Sequence, residues 1–165
     1  MTKLIIIDVD GTLTDGKIYY TQSGEEIKAF NIKDGLMIKS WNMLGKKSAI
    51  ITGRVSNMVE KRAKELNITY IKQGIRNKKE VLDEIIKELN ITYDEVAVIG
   101  DDMNDLSMLK ATNNSFAPYD ANSYIYDIVN YPLTKNGGNG AVAEMLEILL
   151  KEEKLFDKFL ELWEK

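Results

Sequence analysis

The sequence predicts an α/β fold, a parallel sheet with helices on both faces. Three observations carry that prediction. Short apolar runs at 4–7, 48–51, 68–71 and 96–99 lack the in–out alternation of a half-solvated strand. Between them, 34–44, 57–66 and 78–89 repeat apolar residues at helical spacing; Val81, Leu82, Ile85, Ile86 and Leu89 form one stripe. Strand and helix therefore alternate, which is the pattern of a sheet wound with crossover helices. At 165 residues with 44% hydrophobic and 29% charged, the chain has enough apolar material for one core, so a single domain over 1–165 is expected.

Each element follows in order. The run at 4–7 is the first strand. The segment 17–31, KIYYTQSGEEIKAFN, breaks the alternation with two β-type runs around Gly24, a hairpin signal. Following the first strand directly, it should project near that strand's carboxyl end, as a structural ribbon or as a flap over a site. After the last apolar strand run, KNGGNG at 135–140 precedes an apolar helix over 141–150. The tail 151–165 carries Leu155, Phe156, Phe159, Leu160 and Trp163 on one helical face, and is expected as a final helix packed on the body.

Composition removes several kinds of chemistry. Cys and His are both absent, which excludes disulfides, thiol catalysis, Ser–His pairs and most zinc sites. A metal would have to be held by oxygen ligands, which favours magnesium, calcium or manganese. Net charge is −4 and no basic block stands out, so nucleic acid is not an expected partner. The amino-terminal apolar run is too short for a signal peptide, and no stretch has transmembrane length; a cytoplasmic protein without a membrane partner is the expectation.

Four polar clusters sit where strands should end or a helix begin, the place where open parallel sheets bind ligands. They are Asp8-Val9-Asp10-Gly11-Thr12 after the first strand, Thr52-Gly53-Arg54 after the second, Lys78 opening a helix, and Gly100-Asp101-Asp102-Met103-Asn104-Asp105 after the fourth. Taken singly, each has an ordinary explanation as a turn, a helix cap or a solvated charge. Taken together, their order makes coincidence a poor explanation. Several carboxylates converging at strand ends repel one another, and a divalent cation relieves that repulsion. With a hydroxyl from Thr52 and an ammonium from Lys78, the set suits phosphoryl transfer. An EF-hand reading of DVDGTLTDG fails on spacing, and neither G-x-x-x-x-G-K-[ST] nor G-x-G-x-x-G occurs.

In this order the four clusters resemble the haloacid dehalogenase superfamily of phosphatases, whose strand ends carry D-x-D-G-T, then Ser/Thr, then Lys, then an acid group. That resemblance implies Asp8 as nucleophile and Asp10 as general acid and base. It implies magnesium on the Asp8 side chain, the Asp10 main-chain carbonyl and Asp101, with Asp102 acting through a metal-bound water. Thr52 and Lys78 would hold phosphoryl oxygens and Asp105 would orient Lys78.

A narrower resemblance runs through DVDGTLTDGKIYY, GEEIKAFNIKDGL, ITGR, RAKEL, QGIRNK, GDDMNDL and GGNGAV. These are similar to the phosphatases of 3-deoxy-D-manno-octulosonate 8-phosphate (Kdo 8-phosphate), which serve lipopolysaccharide synthesis. The resemblance implies a Rossmann-like core with no cap domain and a homotetramer; the stretches 11–51 and 53–77 leave no room for a cap. It also implies substrate contacts from Gly11, Gly53, Arg54, Lys33 and Asp34. Members often carry Arg at the positions of Lys33, Asn139 and Ala143, so the sugar-recognising shell differs here. Arg54 suits a sugar-acid carboxylate, which a guanidinium grips bidentately. The related branch acting on nine-carbon keto-deoxy acid phosphates tends to have Glu there, and is the first alternative. A phospho-accepting receiver domain is the second, but it places its acids on different strands.

Overall fold

The computed structural model describes residues 1–164. In chain order the strands are β1 (Leu4–Ile7), β2 (Tyr19–Tyr20), β3 (Glu26–Ile27), β4 (Lys47–Ile51), β5 (Tyr70–Lys72), β6 (Val96–Ile99), β7 (Asn114–Ala117) and β8 (Tyr131–Pro132). The helices are α1 (Ile32–Met43), α2 (Asn57–Glu65), α3 (Lys78–Leu89), α4 (Leu106–Leu109), α5 (Ser123–Tyr126), α6 (Ala141–Glu152) and α7 (Phe156–Glu161). Six strands form one parallel sheet in the order β5-β4-β1-β6-β7-β8, and β2 pairs antiparallel with β3 as a separate hairpin. The expected α/β architecture is thus present.

Side-chain alternation along β1 explains its uniformly apolar sequence. Ile5 and Ile7 enter one core with Ile38 and Trp41 of α1 and Met145 and Leu149 of α6. Leu4 and Ile6 enter the other, with Leu82 and Ile85 of α3 and Met108 and Leu109 beyond β6. Both faces are dry, so no position on the strand tolerates a polar residue until its carboxyl end. From β1 the chain winds to β4 and β5 on one side, then crosses to β6, β7 and β8 on the other. That reversal opens a crevice at the carboxyl ends of β1, β4 and β6.

The structure corrects four expectations. The strand expected over 68–71 begins at Tyr70. Ile68 is used instead to end α2: Asn67 is left-handed (φ 57°), and the N–H groups of Asn67 and Ile68 bond back to the carbonyls of Lys64 and Ala63. Two strands went unread because β7 opens on polar Asn114 and Ser115, while β8 is a two-residue edge closed by Pro132, which cannot donate to a ladder. The tail is not one helix over 151–165. Lys154 is left-handed (φ 58°), and the Lys154 and Leu155 N–H groups close on the Lys151 and Leu150 carbonyls in the same capping motif, so α6 stops at Glu152 and α7 starts anew at Phe156. Leu155, Phe156 and Phe159 then pack on the body, and Trp163 Nε1 donates to Ser40 Oγ at 3.1 Å; Lys165 lies outside the described residues. Finally, the hairpin expected over 17–31 pairs only Tyr19–Tyr20 with Glu26–Ile27, and Phe30 beyond it packs on the core under Arg62. Among the described residues no helix is long and apolar enough to cross a membrane.

Candidate active site

The crevice is built by loops that leave the sheet side by side. Ile7 is in register with Ile50 and Ile99, so the residues after each strand emerge as neighbours. The Asp8 N–H still donates to the Ile99 carbonyl at 3.1 Å, which anchors its side chain at the strand's last ladder position. After Asp8 the chain turns sharply through Gly11, whose φ of +95° suits glycine. A Cβ there would overlap the Asp101 carboxylate, so glycine lets that acid reach the first loop. Thr12 Oγ1 donates to Asp101 Oδ1 at 3.1 Å across the gap.

Lys78 is the first residue of α3, where Asn77 caps the helix by accepting the Glu80 N–H. Its side chain is 0% exposed and its ammonium lies 2.5 Å from Asp8 Oδ1 and 2.7 Å from Asp105 Oδ1. The other Asp105 oxygen accepts the N–H groups of Asp101 (3.0 Å) and Asp102 (3.3 Å), so Asp105 is fully committed to holding its neighbours. Carboxylate oxygens of Asp8, Asp101 and Asp105 lie within 4.8 Å of one another.

One ammonium does not balance that cluster. Burial, then the Asp105 charge, push the Asp8 carboxyl well above the usual range despite Lys78. Burial and Asp105 likewise push Asp101 up to about 7. Burial works against the Lys78 charge too, but the Asp8 and Asp105 carboxylates outweigh it and hold its pKa above the ordinary value. Asp102 behaves differently. It is exposed, takes hydrogen bonds from the Tyr124 hydroxyl (2.5 Å) and the Met103 N–H (2.7 Å), and its pKa is lowered chiefly by Tyr124. The residues fit a hard divalent cation: oxygen donors only, converging, and short of positive charge.

A cavity of about 340 Å³ opens beside this cluster, lined by Asp8, Asp10, Thr52, Gly53, Arg54, Asp102, Met103 and Asn104. Of the positions singled out in the sequence, Asp8, Asp10, Gly11, Thr52, Gly53, Arg54, Lys78, Asp101, Asp102 and Asp105 are thus brought together. Lys33 and Asp34 are not. Lys33 lines a larger groove of about 640 Å³ along α6 with Lys135, Asn139 and Ala143, away from the acids. Asp34 is fully buried, and its Oδ1 accepts the Ala143 N–H at 2.8 Å, tying α1 to the start of α6. A helical residue facing the core has no route to a ligand in the crevice, so this chain's own Asp34 makes no contact there.

Other participants were missed. Lys28 pairs with Asp10 and lies 2.8 Å from Glu26, which in turn pairs with Arg54 at 2.7 Å. Period-two alternation of Glu26 and Lys28 in the hairpin was a signal that could have found them. Gly137 and Gly138 pack directly on the first loop: a Cβ at Gly137 would overlap the Gly11 carbonyl, and the Gly138 N–H donates to the Thr12 carbonyl at 3.0 Å. Only tertiary structure shows that KNGGNG supports the acid loop.

Comparison with known proteins agrees with the fold. Residues 71–146 match the haloacid dehalogenase-like hydrolases. The 3-deoxy-D-manno-octulosonate 8-phosphate phosphatase of Escherichia coli is 38% identical over 156 residues, 94% of this chain and 83% of that protein. That of Haemophilus influenzae is 36% identical over 151 residues, 92% of this chain and 84% of that protein. Among solved structures, the enzyme of that name from Moraxella catarrhalis, in complex with magnesium, phosphate and Kdo, superposes with a TM-score of 0.95 at 40% identity, covering 99% of this chain and 94% of that one. With this identity sustained over most of both chains, the protein belongs to the 3-deoxy-D-manno-octulosonate 8-phosphate phosphatase family of haloacid dehalogenase-like hydrolases.

Proposed function

We propose that this protein hydrolyses Kdo 8-phosphate to Kdo and phosphate through an aspartyl-phosphate intermediate. The observation that carries the reading is the buried Asp8–Lys78–Asp105 constellation beside Asp101 at the mouth of the crevice. Asp8 Oδ attacks phosphorus as the bond to the sugar oxygen breaks, and Asp10 gives that oxygen its proton. Asp10 then takes a proton from the water that attacks the phosphoryl-Asp8, releasing phosphate and restoring Asp8. Lys78 and the Thr52 hydroxyl steady the phosphoryl oxygens, and Asp105 holds Lys78 in place. Asp8, Asp101 and the Asp10 carbonyl would hold magnesium, which supplies positive charge against the phosphoryl oxygens. Asp102, exposed and turned to Tyr124, contributes from farther out.

Arg54, at the rim of the cavity, supports an acidic sugar as substrate. Release of inorganic phosphate from Kdo 8-phosphate, compared with a nine-carbon keto-deoxy acid 9-phosphate, with and without magnesium, tests the reading. Preferred, magnesium-dependent turnover of the eight-carbon ester is expected; preference for the nine-carbon ester reassigns the substrate, and no turnover of either sinks the proposal.

The same reading includes a cytoplasmic location and a homotetramer. Ile18, Tyr19, Tyr20 and Ile27 of the hairpin, with Ile32 and Leu36 of α1, are all exposed and form more apolar surface than a two-stranded ribbon usually leaves in water. A neighbouring subunit would cover them and complete the wall of the crevice. Light scattering at working concentration is the check, and a fully active monomer removes this part of the proposal.

A further inference from the structure

Strand geometry decides which hairpin residues look toward the acid loop. Glu26 and Lys28 lie two positions apart and share one face, while Ile27 between them points outward. The result is a line of four alternating charges. Arg54 Nη2 lies 2.7 Å from Glu26 Oε2, Glu26 Oε1 lies 2.8 Å from Lys28 Nζ, and Lys28 Nζ meets Asp10 Oδ1. The two ends differ in access: the Lys28 side chain is 2% exposed and that of Arg54 is 46% exposed. Glu26 Oε1 is buried beside the Lys28 ammonium, and that cation and Arg54 hold the Glu26 carboxyl below its ordinary pKa.

This line joins two residues with separate tasks in the proposed reaction. Arg54 is placed to recognise an acidic substrate, and Asp10 to move protons. In the structure both are engaged by the hairpin, Arg54 by Glu26 and Asp10 by Lys28. We propose that Glu26 and Lys28 form a latch that couples recognition of the substrate's carboxylate at Arg54 to the freeing of Asp10. A carboxylate arriving at Arg54 replaces a group of its own kind, so the guanidinium exchanges one partner for an equivalent one. Glu26, released from Arg54, keeps Lys28 as its single cation and draws it off Asp10. A neutral sugar phosphate has nothing to exchange at Arg54 and leaves the latch closed. Glu26 is thereby a specificity-determining residue and Lys28 a positioning residue.

The proposal rests on the phosphatase reading above, and the experiment separates the two. Kinetics of wild type, Glu26→Gln, Lys28→Gln and Lys28→Arg are measured on Kdo 8-phosphate and on glucose 6-phosphate, a primary phosphate ester without a carboxylate, with thermal melting of each variant. Glu26→Gln leaves Arg54 free and Lys28 on Asp10, so KM for Kdo 8-phosphate falls severalfold and kcat falls about tenfold, the size of one charge-assisted hydrogen bond. KM for glucose 6-phosphate does not move. Lys28→Gln opens the latch for both esters, so the ratio of their kcat/KM values narrows by about tenfold, and Lys28→Arg restores it. The latch is overturned if Glu26→Gln changes both substrates by the same factor, or if Lys28→Gln shifts only the melting temperature and leaves the ratio at its wild-type value. A wild-type enzyme inactive on both esters sinks the reading beneath it, and the latch with it.

Discussion

The mouth of the crevice has two sides built on opposite principles. On one, Asp8, Lys78 and Asp105 are buried beside the cavity and locked by two ion pairs and by backbone N–H donors. On the other, Arg54, in the loop after β4, stands at the rim and meets Glu26 of a hairpin with only two paired residues on each strand. Burial makes the first side strong in electrostatics and intolerant of change, because every charge there depends on its partners. Exposure makes the second side weak and adjustable, because water competes for each contact. Chemistry common to a whole superfamily suits the first environment, and discrimination among substrates suits the second.

The largest expected effect lies on the buried side. Asp8→Asn preserves shape but removes the attacking charge, and turnover should fall by more than about a thousandfold with the fold intact. Measured kcat on Kdo 8-phosphate, with circular dichroism as control, checks it; an Asp8→Asn enzyme keeping about a tenth of its turnover removes Asp8 as the nucleophile.

Lys78→Met comes next. It leaves Asp8 and Asp105 buried with no cation, and the folded state should lose about 3–5 kcal/mol in denaturant melts. Added magnesium should recover part of that loss. Equal losses with and without the ion would show that the cluster does not hold it.

The same imbalance predicts a pH dependence. Asp101 titrates near 3.8 in an unfolded chain and about 7 in the folded one, and Asp8 is shifted in the same direction. Between those values these two groups bind more protons in the folded protein than in the unfolded one. The contribution of Asp101 to metal-free stability should therefore fall as pH rises from about 4 to about 7, with Asp8 acting in the same direction, the opposite of a salt-bridged carboxylate. Saturating magnesium takes the place of the protons and should flatten the slope. A metal-free curve that rises over this interval breaks the contrast between the two sides.

The smallest effect belongs to the rim. Arg54→Lys keeps the charge but loses the planar fork, so KM for Kdo 8-phosphate should rise by about tenfold while stability changes by less than about 0.5 kcal/mol. A stability loss as large as that of Lys78→Met would mean that the rim is structural after all.

Much of this was legible in the residues, and the reason is local. An apolar run such as LIII followed at once by Asp is readable because a doubly covered strand admits no polar side chain before its end. The same logic located Thr52 after β4 and Gly100–Asp102 after β6. Lys78 was legible only from the order of the clusters, since a lysine beginning a helix is ordinarily solvated. The break in the tail was not legible, because it depends on Lys154 adopting a left-handed conformation that its side chain does not favour. Asp34 was not legible: the family resemblance implies a substrate contact there, but helix α1 turns it inward toward α6.

By itself the sequence determined the strand-end acids, the oxygen-only ligand set and the absence of room for a cap, since these follow from residue type and spacing. Tertiary structure alone decided which residues meet. Asp10 and Lys28, Glu26 and Arg54, Thr12 and Asp101, and Gly137 and Gly11 are each brought together by the winding of the chain around the sheet rather than by local propensity. A pairing across such distances in sequence depends on where several elements come to rest at once, and no single segment carries that information.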